Sequence, residues 1–166
     1  MEFFKVISPE EARQAVREFS PLPAEEVPSF DAVGRILAED MSSPVNLPEF
    51  ARSTMDGYAL CAADSFGASE SIPAYLDMVG QVPMGAAPGF EVGGGQAGRI
   101  NTGGMMPPGA DSVVMVEYTT APDDEVVEVR RPCAVGENVL QVGDDLKAGE
   151  RILLAGSRLR SHDIGA

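Results

Sequence analysis

The sequence predicts a mixed α+β fold that is mainly β. Three observations lead there. One well-capped amphipathic helix stands at the N-terminal end. Eight short runs of strand character follow, separated by Gly- and Pro-rich turns. No strand–helix alternation of the doubly wound kind is present.

The helix is read over 8–19. Ser8 caps it, Pro9 fits its first turn, and Glu11 completes an S-x-x-E capping box. Ala12, Ala15, Val16 and Phe19 share one face at helical spacing, the pattern of a surface helix packed on a core. Pro21 and Pro23 are expected to end it. Candidate strands then recur at 26–30, 57–61, 75–79, 98–101, 112–117, 125–130, 139–142 and 151–154. Several alternate apolar with polar residues, as in Glu125-Val126-Val127-Glu128-Val129-Arg130. Turn signals separate them at Pro88-Gly89, Gly93-Gly94-Gly95, Pro107-Pro108-Gly109, Pro122-Asp123-Asp124 and Val142-Gly143-Asp144. Many short strands so spaced suggest a barrel or sandwich. The end of the chain reads as a strand end and then a helix cap at Ser161 with too few residues for a stable helix. The expectation is an N-terminal piece of a longer protein.

At 166 residues and 44% hydrophobic the chain can bury a real core. No run approaches the roughly 20 apolar residues of a membrane span, and the N-terminus lacks the pattern of a secretory signal. Cys61 and Cys133 do not make a disulfide framework, so a reducing cytoplasm is expected. One His and two Cys nearly exclude the usual four-ligand zinc site, and one His leaves little from which to build a Ser-His-Asp triad. A net charge of −14 repels nucleic acid and anionic membranes, and suits divalent cations or a basic partner; taken alone, it equally serves to keep the protein in solution.

Four clusters could carry chemistry. Leu47-Pro48-Glu49-Phe50-Ala51-Arg52-Ser53-Thr54-Met55-Asp56-Gly57-Tyr58-Ala59 packs Glu49, Arg52, Ser53, Thr54 and Asp56 into one loop. Taken alone, Asp56-Gly57 is equally a tight turn in which the Asp bonds its own backbone. In Gly98-Arg99-Ile100-Asn101-Thr102-Gly103-Gly104 a strand runs into a Gly-rich loop that is neither a P-loop nor a dinucleotide fingerprint. The third cluster is a buried-looking strand ending in Glu117. The fourth joins Gly136-Glu137-Asn138 to Gly143-Asp144-Asp145, whose paired carboxylates could bind a divalent cation or form an exposed acidic turn.

These segments together resemble the N-terminal region of the molybdopterin molybdenumtransferase family, the MoeA-type proteins and the gephyrin E domain. The matching stretches are Val33-Gly34-Arg35-Ile36-Leu37-Ala38-Glu39-Asp40 with Ser43-Pro44, the Leu47 to Ala59 string, Ile100 to Gly104 with Pro108 to Glu117, and Gly143 to Leu146 with Ala148-Gly149-Glu150. The Ser53-Thr54-Met55-Asp56-Gly57-Tyr58-Ala59 string is the specific part.

The resemblance implies an elongated homodimer that inserts molybdate into adenylylated molybdopterin in a Mg²⁺-dependent step, with the active site in a cleft between subunits. It implies a discontinuous α/β domain over 1–49 and 132–166, with a β-barrel-like domain inserted at 50–131. It carries catalytic roles onto Asp56 and Thr102, substrate contacts onto Ser53, Met55, Gly103 and Glu117, and metal contacts onto Asp56, Asp144 and Asp145. Asp56 would hold Mg²⁺ or orient water, and Thr102 would bond a phosphate or molybdate oxygen. Two departures stand out. Leu140-Gln141-Val142 occupy positions where the family often has Arg, and the α/β domain expected to bind the pterin is not in the sequence. The fragment is therefore expected to be inactive alone. The rival expectations are a non-catalytic dimerisation or scaffold module of the gephyrin type, and a stand-alone domain binding a divalent cation at Asp144-Asp145.

Overall fold

The computed structural model describes residues 6–20 and 22–165. Packing divides them into two units, one of residues up to Met41 together with those from Leu153 onward, the other Ser42–Ile152. In the first unit α1 (Pro9–Arg17) starts as the sequence predicts. Ser8 Oγ accepts from the Glu11 N–H, and the Glu11 carboxylate accepts from the Ser8 N–H at 2.7 Å. The helix stops two residues short of the expected 19, with Glu18 as its C-cap; the expected stop at Pro21 lies outside the described residues. The expected packing of its apolar face is corrected here. No residue of α1 is buried, and Val16 is 69% and Phe19 80% exposed. Local capping, acidic residues in the first turn and a Glu10–Arg13 pair hold this helix instead of a core contact. Nearby, the chain around Gly34–Leu37 runs antiparallel to that around Gly156–Leu159, with Ile36 bridged to Arg158.

The expected strand at 26–30 is also corrected. Ser29–Asp31 form a 3₁₀ turn in which Asp31 N–H bonds the Pro28 carbonyl and Ala32 N–H the Ser29 carbonyl. Pro28 has no N–H to give a ladder.

The second unit holds nearly all the strands. They are β1 (Met41–Ser42), β2 (Arg52–Ser53), β3 (Gly57–Leu60), β4 (Ala74–Gln81), β5 (Gln96–Ile100), β6 (Ser112–Met115), β7 (Thr119–Thr120), β8 (Val126–Val129), β9 (Val139–Leu140) and β10 (Arg151–Leu153). Six form one sheet in the order β6-β3-β5-β4-β8-β7. β4 and β5 are parallel, and the other neighbours are antiparallel. Its outer strands, β6 and β7, are joined by the single 3₁₀ turn Val116–Tyr118, so the sheet curls into a nearly closed, barrel-like form. β2 pairs with β9, and β1 with β10. Segments 42–49 and 132–152 fall in the same unit as the barrel-like sheet. Leu47 is bridged to Leu146, and the Val113 N–H bonds the Glu137 carbonyl.

Strand alternation builds the core. Tyr58 and Leu60 of β3 join Leu76, Ala97, Val114, Val127, Val129 and Cys133 in one cluster. Ala59 points the other way, into a second cluster with Val82, Ile100 and Val113. β3 is thus covered on both faces, and all four of its residues are buried. Both cysteines are free thiols. No described helix is long and apolar enough to cross a membrane.

Gly57 is fixed by this crowding, because a Cβ there would lie 1.9 Å from the Val114 carbonyl oxygen. Gly103 has φ +82° but open space around it. Gly57→Ala should therefore cost at least about 3 kcal/mol, and Gly103→Ala only about 1–2 kcal/mol. Urea midpoints of the two variants test the ranking; equal midpoints would contradict the β3–β6 register.

Candidate active site

Asp56 lies one residue before β3, on a loop that its own side chains shape. Ser53 is 2% exposed. Its hydroxyl donates to the Met55 carbonyl at 2.6 Å and accepts the Met55 N–H at 3.2 Å, a local turn that competes successfully with regular structure. The loop is then clamped to the Gly-rich one. Ser53 N–H bonds the Gly104 carbonyl at 2.9 Å, Gly103 N–H bonds the Ser53 carbonyl at 2.8 Å, and Met106 N–H bonds the Ala51 carbonyl at 2.9 Å. Thr54 N–H bonds the Asn138 carbonyl at 3.0 Å, tying in the segment before β9.

This clamp brings Asp56 and Thr102 together. Asp56 Oδ1 accepts the Thr102 N–H at 2.7 Å and the Thr102 hydroxyl at 2.9 Å. Oδ2 accepts no hydrogen bond from a described residue. The Thr102 backbone N–H first, and its hydroxyl second, hold the exposed Asp56 carboxyl below the ordinary aspartate value. The group is an anion at neutral pH on an exposed residue. The Thr102 proton is given to Asp56, so in this arrangement its hydroxyl offers an incoming ligand lone pairs.

The other expected residues fall around this pair. Met55 is partly exposed on the same loop, and Gly103 is exposed beside Thr102. Gly103 spends its N–H on Ser53. Glu117 is exposed on the 3₁₀ turn that follows β6, directly after Val116, whose N–H bonds the Asp56 carbonyl at 3.0 Å. Asp144 Oδ2 accepts the Gln141 N–H at 2.7 Å, and Asp145 faces Arg52, with 3.6 Å between Oδ2 and the guanidinium. Among the described residues no group of three or more His, Cys, Asp or Glu is gathered as for a metal ion.

Two residues acquire roles that the sequence did not give them. Arg52, read only as one polar member of its loop, is the ion-pair partner of Asp145 and lies opposite Leu140 in the β2–β9 ladder. Asn138 takes φ +59° and donates from its side chain to the Val113 carbonyl at 2.9 Å. In the sequence Asn138 stands only as a member of the fourth cluster, with neither this conformation nor this partner indicated.

The family model for the MoeA N-terminal region (domain I and II) matches residues 7–166. The chain belongs to this MoeA family. Its match to the molybdopterin molybdenumtransferase of a Nostoc species is 41% identical over 95 residues, 57% of this chain and 22% of the relative. The match to that of Bacillus subtilis is 42% identical over 91 residues, 55% of this chain and 21% of the relative. Two crystal structures of the Pyrococcus horikoshii molybdopterin biosynthesis MoeA protein superpose with TM-scores of 0.84 and 0.81, at 38% and 40% identity. They cover 97% and 85% of this chain, which in turn spans 41% and 37% of theirs. The barrel-like sheet and the Asp56–Thr102 pair therefore sit within a MoeA N-terminal region, a minor part of the length of its relatives.

The Asp56 carboxyl should titrate below the unfolded aspartate value of about 3.9. Thr102→Val removes the hydroxyl bond and keeps the larger backbone one, so the midpoint should rise only part of the way back. A carboxyl-carbon NMR titration reads both. Because the folded value is the lower, the stability the pair contributes is complete above the unfolded value. It is lost as pH falls through the folded one.

Proposed function

We propose that this chain is the N-terminal portion of a molybdopterin molybdenumtransferase acting in molybdenum cofactor biosynthesis. It supplies Asp56 and Thr102 to the insertion of molybdate into adenylylated molybdopterin, in a cytoplasmic homodimer whose partner subunit completes the cleft. By itself the chain is inactive. The observation that carries this reading is the Asp56–Thr102 pair, built on the family's Ser-x-Met-Asp-Gly-Tyr-Ala string and held open on one side.

The chemistry of the site fits that role. Mg²⁺ prefers one or two carboxylates together with waters and substrate phosphate oxygens over an all-protein cage. A single exposed, ionised carboxylate with free Oδ2 lone pairs suits such an ion, and Asp56 would hold it, with Glu117 nearby on the next turn. The ion would neutralise charge on the substrate's phosphate. Thr102 fixes the carboxylate orientation with two donors, so that no reorganisation is needed when substrate arrives. Ser53 acts through loop shape, since its hydroxyl is buried against Met55. Met55 and Gly103 offer exposed surface on which a flat ring can rest.

Complementation tests this. The full-length gene, with and without Asp56→Ala, goes into a strain lacking its own molybdenumtransferase, and a molybdoenzyme activity is read at equal protein abundance. The parent should rescue, Asp56→Ala should fall by about 100-fold or more, and the 166-residue chain alone should not rescue. Equal rescue by parent and variant would make this region a scaffold or dimerisation module.

A further inference from the structure

We propose that Arg52 is the cation with which this site holds a tetrahedral oxyanion, and that Asp145 is its resting partner. The inference rests on the reading above that the site handles anionic substrates. Arg52 is the one Lys or Arg of the loop 47–56 that ends at Asp56; Arg99 of the Gly-rich segment lies back in β5, opposite Tyr58, and Lys147 follows Leu146. In a chain of net charge −14, an anion approaching the Asp56 carboxylate needs a local positive charge.

The backbone of Arg52 is fixed on both sides. Leu140 lies opposite it in β9, and a bridge joins it to Met105 of the Gly-rich loop. The next residue, Ser53, exchanges backbone bonds with Gly103 and Gly104, next to Thr102. Ser53 is buried, and strand alternation puts Arg52 on the opposite face. Its side chain is 41% exposed and that of Asp145 57%.

The guanidinium is poorly spent where it stands. Its contact with Asp145 is one N···O approach of 3.6 Å, longer than the roughly 2.7–2.9 Å of a charge-assisted hydrogen bond. It makes no hydrogen bond to a described residue, and five N–H donors in a planar fork remain. Exposed pairs of this kind add little stability. A doubly charged oxyanion that accepts two parallel N–H bonds outcompetes one distant carboxylate oxygen. Asp145 thus keeps the fork placed while the site is empty, and yields it on binding.

Isothermal titration calorimetry of the full-length protein tests this, with molybdate and AMP as separate probes. Arg52→Gln should weaken binding of at least one probe by about tenfold or more and flatten its salt dependence, with Arg52→Lys in between. Asp145→Asn should tighten the same probe several-fold, an effect that a merely structural ion pair would not give. Thermal melts confirm folding, and if Arg52→Gln does not fold, Arg52→Lys and Asp145→Asn decide. Loss for molybdate alone assigns the metal oxyanion, and loss for AMP alone the nucleotide phosphate. Parent-like binding by Arg52→Gln, weaker binding by Asp145→Asn, or no binding of either probe by the parent overturns the inference. Rescue by the parent gene in complementation reports separately on the functional reading, which stands even if Arg52 proves irrelevant.

Discussion

The site depends on one constraint, the backbone clamp between the loop ending at Asp56 and the loop beginning at Asn101. Asp56 and Thr102 are separated by 46 residues. Closing a loop of that length costs roughly 3 kcal/mol in chain entropy. Two hydrogen bonds to one carboxylate oxygen would barely offset that. The four-pair β3–β5 ladder absorbs the cost instead, since it runs from Gly57 opposite Ile100 to Leu60 opposite Ala97. The ladder ends where the site begins. Extending the pairing by one residue at each end leaves Asp56 facing the 101–102 turn, and the Ser53 exchange with Gly103 and Gly104 fixes that facing geometry.

The acid–base consequence follows from the same clamp. An exposed aspartate ordinarily has water as its partner and an ordinary titration. Here the Thr102 backbone N–H, just past the end of β5, and the hydroxyl of the same residue are both aimed at Oδ1. They favour the anion without burying it. A carboxylate that is both ionised and accessible can meet a cation or a bound water without first losing a proton. Burial would have defeated this, because desolvation raises a carboxyl pKa and removes the open face.

Much of this was legible in the chain. The capping box over Ser8 and Glu11, the alternation of 125–130 and the Gly-rich stop after Ile100 each carry their own local physics, and each forms as expected. What failed was local pattern read as tertiary placement. The apolar stripe of Ala12, Ala15, Val16 and Phe19 is a property of the helix, whereas its burial needs a partner surface, and none of the described residues buries it. The run 26–30 has strand-like residues, but Pro28 diverts its carbonyl into a turn. The two-residue strands β2, β7 and β9 carry almost no period to detect, and exist because a neighbour pairs with them.

By itself the sequence determined the residue types at the site and their order: Ser53 ahead of Asp56 in one polar loop, Thr102 at a strand end, paired acids in a Gly-flanked turn. It also determined that most strands would be short and separated by turns. Only the tertiary structure decided which of these groups meet. It joined Asp56 to Thr102, sent Asp144 back onto Gln141, and set Asp145 against Arg52. The physical reason is range. Propensity, capping and turn chemistry act over a few residues, and sequence records them directly. Ion pairs and ladder register act across dozens of residues, and are fixed only when the whole sheet finds its lowest free energy.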